Sequence, residues 1–332
     1  MPLPISRASI HGLGVYIPER VLSNDELARM VNTTDEWITA RTGIKRRHLA
    51  APEQSTSDLA LIAAQRALAA AEISPDQLDL IIVGTATPDM FFPATACLVQ
   101  ERLGAPQAGA FDLLAACSSF VYGLITADQM IRAGTIRRAL VIGAETLSRL
   151  VDWEDRRTCV LIGDGAGAAV LGPATGEHGI LSGRVGADGS AGDLLKVTAG
   201  GSRMPVTPEA IERKLHRATM DGQAVFKIAV RTVPALIRQA VAQAGWAMEE
   251  VDRFVPHQAN LRIIESMRDQ LGVSLDRFVV NIEEYGNTSA ASVPLALWEA
   301  VQAGRITDGD RIVLAAFGGG FTYAACALVW GR

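Results

Sequence analysis

Cys117 combines a nucleophilic side chain with a local pattern that suits catalysis. It stands in AACSSF, between a strand-like run, AGAFDLLAA, and a helical pattern with apolar residues on one face. This pattern predicts a sulfur at a helix N-terminus, where free backbone N–H groups and the helix dipole favour the thiolate and lower the pKa of a thiol from about 8.5. The other cysteines lack this setting and are predicted to be small core residues: Cys97, Cys159 and Cys326.

His257 and Asn287 also stand where a strand pattern gives way to a helix. His257 follows VDRFVP and precedes a helix that begins near Asn260, whereas Asn287 lies in YGNTSAAS. Alone, a histidine after proline or an asparagine after glycine is more often a turn residue. Their places at strand-to-helix junctions predict that both lie at the same edge of the fold as Cys117. The order Cys, His, Asn also occurs in cysteine hydrolases, but the CGSCW-type segment of papain-like enzymes is absent.

Two glycine runs, GDGAGA at 163–168 and FGGGF at 317–321, superficially resemble phosphate-binding loops. A nucleotide loop must lead into a helix whose N-terminus meets the phosphate. Both runs are followed by strand-like segments, AAVLG and AACALVW, so the nucleotide-binding interpretation fails. A tight turn whose backbone N–H groups approach a substrate oxygen fits the pattern.

The elements that must position these residues occur twice. Asp79 and Asp252 lie at corresponding points of two helix–strand segments, 173 residues apart. Three pairs of segments match in the same order: 57–87 with 231–260, the helix and strand from Cys117 with those from Asn287, and the glycine turn near Asp164 with that near Phe317. This order indicates an internal duplication. It predicts two α/β halves, each with a mixed sheet, fused about a pseudo-twofold axis with helices between the sheets.

The composition narrows the class of protein. The chain has 332 residues, of which 49% are hydrophobic and only 5% aromatic, so the core must consist mainly of Ala, Val, Leu and Ile. A net charge of −5 argues against nucleic-acid binding, which needs a clustered basic surface. The cysteines form no CxxC pair, so no zinc site is predicted. No apolar leader or membrane span is recognisable, which predicts a cytoplasmic protein.

The sequence resembles the β-ketoacyl-ACP synthase III enzymes, condensing enzymes of the thiolase superfamily, nearly from end to end. The motifs that carry the resemblance are TDEWITARTGI, AACSSF, DWEDRRTCVLIGDGAGA, VFKIAVR, VPHQANLRII, YGNTSAASVPLAL and FGGGFTY. The resemblance implies a thiolase-like α/β fold, with mixed five-stranded sheets in an αβαβα arrangement. The N-terminal half, 1–180, would carry the nucleophilic cysteine, and the C-terminal half, 181–332, the histidine and asparagine.

The resemblance also implies the reaction, a decarboxylating Claisen condensation of an acyl-CoA primer with malonyl-ACP. The products would be 3-oxoacyl-ACP, CoA and CO2, in the first step of fatty-acid synthesis. Cys117 would accept the acyl group, while His257 and Asn287 would donate hydrogen bonds to the malonyl thioester oxygen. Backbone N–H groups of Cys117 and Gly319 would hold the acyl oxyanion, and Phe317 would shield the carbanion. No cofactor or metal is expected, because decarboxylation itself supplies the nucleophile.

Substrate contacts follow from the same resemblance. Trp37 and Arg156 would clasp the CoA adenine, Arg41 would lie near the phosphates, and Asn260 would touch the pantetheine arm. A basic patch would dock the acidic acyl carrier protein, since docking depends on the local field. Its residues would be Gln258, Ala259, Asn260, Leu261 and Arg262, together with Lys227. Phe92 would reach across the interface of a homodimer and line the partner's pocket.

Two alternatives share some of these features. A related condensing enzyme could use the same residues to make a specialised metabolite such as a polyketide starter or a quinolone. A catalytically inactive scaffold would have lost Cys117, His257 or Asn287, and all three are present. Ser119 stands where relatives commonly have Gly, and Tyr323 where many have Trp, and both positions bear on the acyl pocket or its backing.

Overall fold

The computed structural model describes residues 7–332, which form strands and helices in alternation. The strands are β1 (Ala8–Tyr16), β2 (Arg20–Ser23), β3 (Arg46–Leu49), β4 (Leu80–Gly84), β5 (Gly109–Leu113), β6 (Ala139–Glu145), β7 (Gly165–Pro173), β8 (Gly179–Ala187), β9 (Leu195–Val197), β10 (Ala218–Met220), β11 (Arg253–Pro256), β12 (Arg311–Gly318) and β13 (Thr322–Val329). The helices are α1 (Asn24–Leu27), α2 (Asp35–Thr42), α3 (Thr56–Ala71), α4 (Thr95–Leu103), α5 (Ser119–Arg132), α6 (Pro208–Glu212), α7 (Gly222–Gln243), α8 (Leu261–Leu271), α9 (Ile282–Tyr285) and α10 (Ser292–Gln302).

The first large sheet has five strands in the order β1-β7-β6-β4-β5. β4 runs parallel to β5 and β6, whereas β7 is antiparallel to β6 and β1. Every residue of β4 and β6 is buried, as expected for parallel strands covered on both faces by helices. The predicted mixed five-stranded sheet is confirmed in this half.

The second large sheet has four strands in the order β11-β12-β13-β8, so a second sheet of five strands is not found among the described residues. The place of a fifth strand, beside β11, carries a single parallel bridge between Phe254 and Phe278. Only four residues, 278–281, separate a 3₁₀ turn at Leu275–Arg277 from α9. This segment is too short to form a ladder of backbone hydrogen bonds with β11. Side chains bond to its backbone groups instead.

Helices lie in three layers around and between the two sheets. α3 and α4 cover the outer face of the first sheet, α5 and α10 contact both sheets from between them, and α7 packs on the outer face of the second sheet beside α8. The αβαβα arrangement predicted from the sequence is therefore confirmed. The core is made mainly of Ala, Val, Leu and Ile, as the composition predicts. Close packing requires glycine at one point: a Cβ at Gly14 would lie 2.2 Å from the backbone N of Ala67 in α3.

The duplication is visible in equivalent contacts. Asp79 Oδ2 accepts hydrogen bonds from the backbone N–H groups of residues 137 and 138, where β6 is about to begin. Asp252 Oδ2 accepts the corresponding bond from Arg311 N–H at the start of β12. The two aspartates thus perform the same task in the two halves. The division of the chain at residue 180 stays a prediction.

One detail of the predicted duplication is wrong. Cys117 and Asn287 do not occupy equivalent positions, because the matching turns are those at Ala116 and Ser289. Each has a positive φ, of 48° at Ser289 and 47° at Ala116, and each opens a 3₁₀ turn that leads into a central helix. Cys117 therefore corresponds to Ala290. The sequence match was off by three residues because α10 is three residues shorter than α5.

No helix among residues 7–332 is long and apolar enough to cross a membrane.

Candidate active site

The three predicted catalytic residues come together at one cavity. Cys117, His257 and Asn287 all line a cavity of about 600 Å³ between the ends of the two sheets and the central helices. They approach it from separate turns, after β5, after β11 and before α10 respectively. A cavity of this size can hold an extended small ligand, and it opens to solvent past Trp37, Arg156 and Arg262.

Cys117 sits in a tight turn held by a serine of its own helix. Ser119 Oγ accepts a hydrogen bond from Ala115 N–H and donates one to Ala116 C=O, at 2.9 and 2.7 Å. The turn includes the strained, positive-φ Ala116. The Ser119 hydroxyl therefore stabilises the turn that presents the thiol.

The predicted low pKa of Cys117 is wrong. Burial raises the pKa of the thiol to about 12, and the negative charge of Glu145 adds to this effect. A hydrogen bond from Ser289 opposes it. The cost of desolvating a thiolate therefore outweighs the stabilisation expected from the helix N-terminus.

His257 is buried and neutral at physiological pH. Desolvation lowers its pKa to about 3, because the imidazolium would have no water around it. Its Nδ1 forms a hydrogen bond of 2.6 Å with Ser292 Oγ, and its ring meets the edge of Phe317 with 5.3 Å between ring centroids. The other ring nitrogen, Nε2, is thus the atom left to serve the cavity.

Asn287 has an amide orientation fixed by its neighbours. Its Oδ1 accepts a hydrogen bond of 2.9 Å from Ser289 N–H. Its backbone is tied down as well, because Asn287 N–H donates to Leu161 C=O and Asn287 C=O accepts from Gly163 N–H. With Oδ1 engaged, the Nδ2 group is the donor available to a ligand.

The FGGGF segment brings a glycine turn against Cys117. A Cβ at Gly318 would lie 2.6 Å from the backbone N of Cys117, so only glycine permits this approach. Gly319 follows directly and packs against Leu195, a residue that also lines the cavity. The rings of Phe317 and Phe321 stack parallel, with 5.9 Å between centroids, and form an apolar wall beside the imidazole.

Glu145, a residue that the sequence reasoning missed, lies buried beside this site. It is the last residue of β6 and is fully buried, and its carboxylate accepts bonds from Thr87 Oγ1 at 2.6 Å and Ser289 Oγ at 2.9 Å. Burial raises its pKa to about 7. An acidic residue at the end of an otherwise apolar strand, in LVIGAET, was the available signal.

The predicted CoA contacts surround the mouth of the cavity. Trp37 is half-buried, with the guanidinium carbon of Arg41 4.7 Å and that of Arg156 5.0 Å from its ring centroid. Arg156 also donates a hydrogen bond to Asn32 C=O. These residues provide an aromatic face and two positive charges at the opening.

The segment 258–262 only partly matches its predicted role in docking. Arg262 and Lys227 are exposed near the cavity mouth, and Asn260 caps α8 while its Nδ2 donates to Arg41 C=O. Gln258, by contrast, is fully buried, with its amide bonded to the backbone at Pro256, Val279 and Asn281. Its amide replaces the backbone hydrogen bonds of the missing ladder beside β11. The prediction that Gln258 docks the carrier protein is therefore wrong. Ala259 and Leu261 are partly buried, and Leu261 packs against Gly43.

Two family models match the halves that hold these residues. The model described as 3-oxoacyl-[acyl-carrier-protein (ACP)] synthase III matches residues 111–189, and the one for the C-terminal part of the same enzymes matches residues 241–330. A relative from Caldanaerobacter subterraneus subsp. tengcongensis, named beta-ketoacyl-[acyl-carrier-protein] synthase III, is 51% identical over 98% of this chain and 98% of its own. This chain belongs to the β-ketoacyl-[acyl-carrier-protein] synthase III family.

Solved structures agree with this membership of the synthase III family. The crystal structure of 3-oxoacyl-[acyl-carrier-protein] synthase III from Aquifex aeolicus VF5 superposes with a TM-score of 0.90, at 46% identity over 97% of this chain and 100% of that one. A priming beta-ketosynthase from the R1128 polyketide biosynthetic pathway has a TM-score of 0.91, at 36% identity over 100% and 99% of the two chains. The thiolase-like fold is therefore confirmed, and the chain is an acyltransferase.

Phe92 does not line the cavity of its own chain in this synthase III fold. It is 85% exposed, beside Phe91 at 84%, and Leu114 is 77% exposed where the chain leaves β5. Within residues 7–332, β5 is an edge strand that pairs only with β4. An exposed edge with several large apolar side chains is the kind of surface that another chain covers.

Proposed function

We propose that this protein catalyses the decarboxylating condensation of an acyl-CoA primer with malonyl-ACP, the step that begins fatty-acid synthesis. The observation that carries the proposal is the meeting of Cys117, His257 and Asn287 at one cavity, in a chain about half identical to synthase III enzymes. Described residues offer no cluster of His, Cys, Asp and Glu able to hold a metal ion.

In the first half-reaction the Cys117 sulfur attacks the thioester carbon of acyl-CoA. A new C–S bond to Cys117 forms, the bond to the CoA sulfur breaks, and the thiol proton finally resides on free CoA. The oxyanion that develops would be held by the backbone N–H groups of Cys117 and Gly319. The close approach of the neighbouring Gly318 to Cys117 supports this assignment.

In the second half-reaction malonyl-ACP loses CO2 and becomes an enolate. His257 Nε2–H and Asn287 Nδ2–H would donate hydrogen bonds to the thioester oxygen, where the negative charge develops. A neutral imidazole suits this role, because its N–H group can donate a hydrogen bond without giving up the proton. The carbanion then attacks the acyl carbon on Cys117 and forms the new C–C bond. The C–S bond to Cys117 breaks, and the released Cys117 thiolate takes up a proton.

The wall made by Phe317 and Phe321 would keep water from the carbanion. Both rings are buried, and Phe317 contacts the imidazole edge-on. A carbanion that is exposed to water is protonated to acetyl-ACP instead of attacking the acyl group. The apolar wall therefore favours condensation over simple decarboxylation.

The charges at the cavity mouth suit the two carriers of the substrates. Trp37, Arg41 and Arg156 would bind the adenine and phosphates of CoA by stacking and ion pairing. Arg262 and Lys227 would meet the acidic surface of acyl carrier protein. A local basic patch allows this docking although the whole chain has a net charge of −5.

We also infer a homodimer formed through the exposed edge of β5, with Phe92 reaching toward the partner's acyl pocket. The surplus of apolar side chains along this edge supports the inference. A cytoplasmic location agrees with the reducing conditions that a free catalytic cysteine needs.

Intact-mass measurements test the proposed reaction directly. Purified protein is incubated with acetyl-, isobutyryl- or octanoyl-CoA, and malonyl-ACP is then added. We expect an acyl adduct on the wild type, none on Cys117→Ser, and its clearance into 3-oxoacyl-ACP. A His257→Ala variant should keep the adduct but fail to clear it. Absence of an adduct with every primer would contradict the proposal.

The main alternative is a condensing enzyme of specialised metabolism, which the likeness to the R1128 priming ketosynthase favours. The sequence identity to relatives named beta-ketoacyl- or 3-oxoacyl-[acyl-carrier-protein] synthase III is higher than that to the R1128 enzyme, which weighs against this alternative. In the same experiment, an acyl adduct that malonyl-ACP does not clear would support this alternative.

A further inference from the structure

The acylation step needs a proton acceptor that the three residues assigned so far do not supply. Cys117 must lose its proton before attack, and burial strongly disfavours the lone thiolate. His257 is a poor acceptor, because its burial disfavours the imidazolium and its Nδ1 is already bonded to Ser292. Asn287 has no basic atom.

A buried carboxylate lies one hydroxyl away from the thiol. Ser289 Oγ donates to Glu145 Oε1 at 2.9 Å. The turn that holds Ser289 packs against the turn that holds Cys117, and the Ser289 hydroxyl is near enough to the thiol to lower its pKa. Ser289 is held in this place by the positive-φ turn that opens before α10 and by its N–H bond to Asn287 Oδ1. The Ser289 hydroxyl, bonded to Glu145, is thus the polar group next to the Cys117 thiol.

The surroundings of Glu145 leave its charge without a cationic partner. From the turn after β4 it accepts bonds from the hydroxyls of Thr85 and Thr87 and from Ala86 N–H, and from the turn before α10 it accepts that of Ser289. No charged side chain is among these partners in the described part of the chain, and Cys117 is the titratable group that couples to it. Such a carboxylate is stable with or without a proton near neutral pH.

We propose that Glu145, acting through the Ser289 hydroxyl, takes the proton that Cys117 must lose before it is acylated. The thiol proton passes to Ser289 Oγ as the Ser289 proton passes to Glu145 Oε1. The sulfur then forms its bond to the acyl carbon, the CoA thiolate leaves, and it takes up a proton as the relay returns Glu145 to the carboxylate. When the condensed product leaves, the Cys117 thiolate takes up one proton from solvent, and Glu145 is a carboxylate ready for the next acylation.

The proposal rests on Cys117 being the acylated residue, and the pH dependence of acylation tests it. Single-turnover acylation by acetyl-CoA, without malonyl-ACP, is followed by intact mass from about pH 5.5 to about 9.5. For the wild type we expect a rate that rises and then levels off above pH about 7, where Glu145 is ionised. In Glu145→Gln the rate at pH 7 should fall about 100-fold and then rise about tenfold per pH unit, because the thiol must ionise by itself.

Ser289→Ala should give the same altered profile, since it breaks the relay while it leaves the carboxylate in place. If Glu145→Gln does not fold, the pH profile of Ser289→Ala tests the relay in its place. Asp164→Asn is the matched control: Asp164 is another buried carboxylate, bonded to Ser148 and Ala50 N–H, and does not line the cavity. Its profile should keep the wild-type shape.

A merely structural role for Glu145 predicts a different result, a rate lowered by one factor at every pH with the wild-type profile unchanged. That outcome would overturn the relay. If wild type is not acylated at all, the proposed function fails instead, and alkylation of Cys117 by iodoacetamide tests the relay separately. The alkylation rate should then level off above pH about 7 in the wild type and keep rising in Glu145→Gln.

Discussion

Ser292 Oγ lies 2.6 Å from Nδ1 of His257, and both residues are buried. The equivalent pair in the first half is Ser119 and Gly84, where a Cβ on the glycine would lie 2.6 Å from the serine Cβ. Ser292 Oγ also accepts a hydrogen bond from Gln258 N–H at 3.4 Å, so the Ser292 hydroxyl can donate its own hydrogen bond to Nδ1. This network places the imidazole proton on Nε2, toward the cavity.

Ser292→Ala should therefore impair decarboxylation more than acylation. Without the hydroxyl, Nδ1 can hold the ring proton and Nε2 no longer donates reliably, so we expect clearance of the acyl enzyme by malonyl-ACP to slow about 100-fold. Acylation of Cys117, measured by intact mass in the same samples, should keep its rate. Ser182→Ala is a suitable control, because Ser182 is also buried but its hydroxyl donates to Ala240 C=O in α7. Equal losses in both steps would contradict the assignment.

Gly318→Ala should displace the nucleophile without unfolding the protein. The new Cβ would lie 2.6 Å from Cys117 N and 3.1 Å from Ala116 Cβ, and a backbone atom cannot move aside cheaply. We expect a loss of about 1–3 kcal/mol in the free energy of unfolding, together with severe loss of acylation. Thermal denaturation and intact mass measure the two effects. Gly189→Ala, which meets nothing within 4 Å, should change neither.

The sequence predicted that Cys117, His257 and Asn287 meet at one edge of the fold because their signals are local. The strand-to-helix junctions at Cys117, His257 and Asn287 can be recognised in a few residues, and the fold places such junctions at the same edge of the sheets. The charge states were not predictable in this way. The pKa of Cys117 depends on burial and on Glu145, which comes close only through the folding of β6 against the turn before α10.

The four-stranded second sheet was missed for a related reason. The family resemblance implied a fifth strand, and only the fold shows that a 3₁₀ turn and α9 leave four residues, 278–281, in its place. Gln258 was predicted to face a partner because VPHQANLRII resembles the segment with which the family docks its carrier protein. Its amide instead replaces backbone bonds of the missing ladder. The sequence of a loop does not show whether a glutamine in it is exposed or buried.

Trp37→Ala should weaken the use of acyl-CoA without changing the chemical step. Two arginines lie within about 5 Å of the centre of the ring at the cavity mouth, and loss of a stacking surface for adenine costs about 1–3 kcal/mol. We expect the KM for acetyl-CoA to rise about tenfold or more, with kcat nearly unchanged. Trp246→Ala is the matched control, since Trp246 also lies under an arginine, Arg311, but away from the cavity. A fall in kcat with unchanged KM would contradict this role.

Arg262→Glu should affect the carrier protein more than the primer. Arg262 is exposed beside the ring of Phe226, and reversing its charge repels an acidic partner. We expect the KM for malonyl-ACP to rise about 5- to 10-fold, and the difference from wild type to shrink as salt is added. Arg268→Glu, on the same helix but paired with Asp269, should have little effect. Acylation by acetyl-CoA alone shows whether the cavity itself remains intact.

The apolar edge near β5 should determine the oligomeric state. Leu114→Asp and Phe92→Asp each place a charge on a side chain that is now exposed and apolar, so a dimer formed there must desolvate it. We expect sedimentation to show a dimer for the wild type and mainly monomer for both variants. Ile211→Asp, which charges an exposed apolar residue of α6 at 52% exposure, should remain dimeric. If Phe92 also lines the partner's pocket, Phe92→Ala should alter the choice between short and long acyl-CoA while the dimer persists. Unchanged primer choice in a dimeric Phe92→Ala protein would restrict Phe92 to the interface.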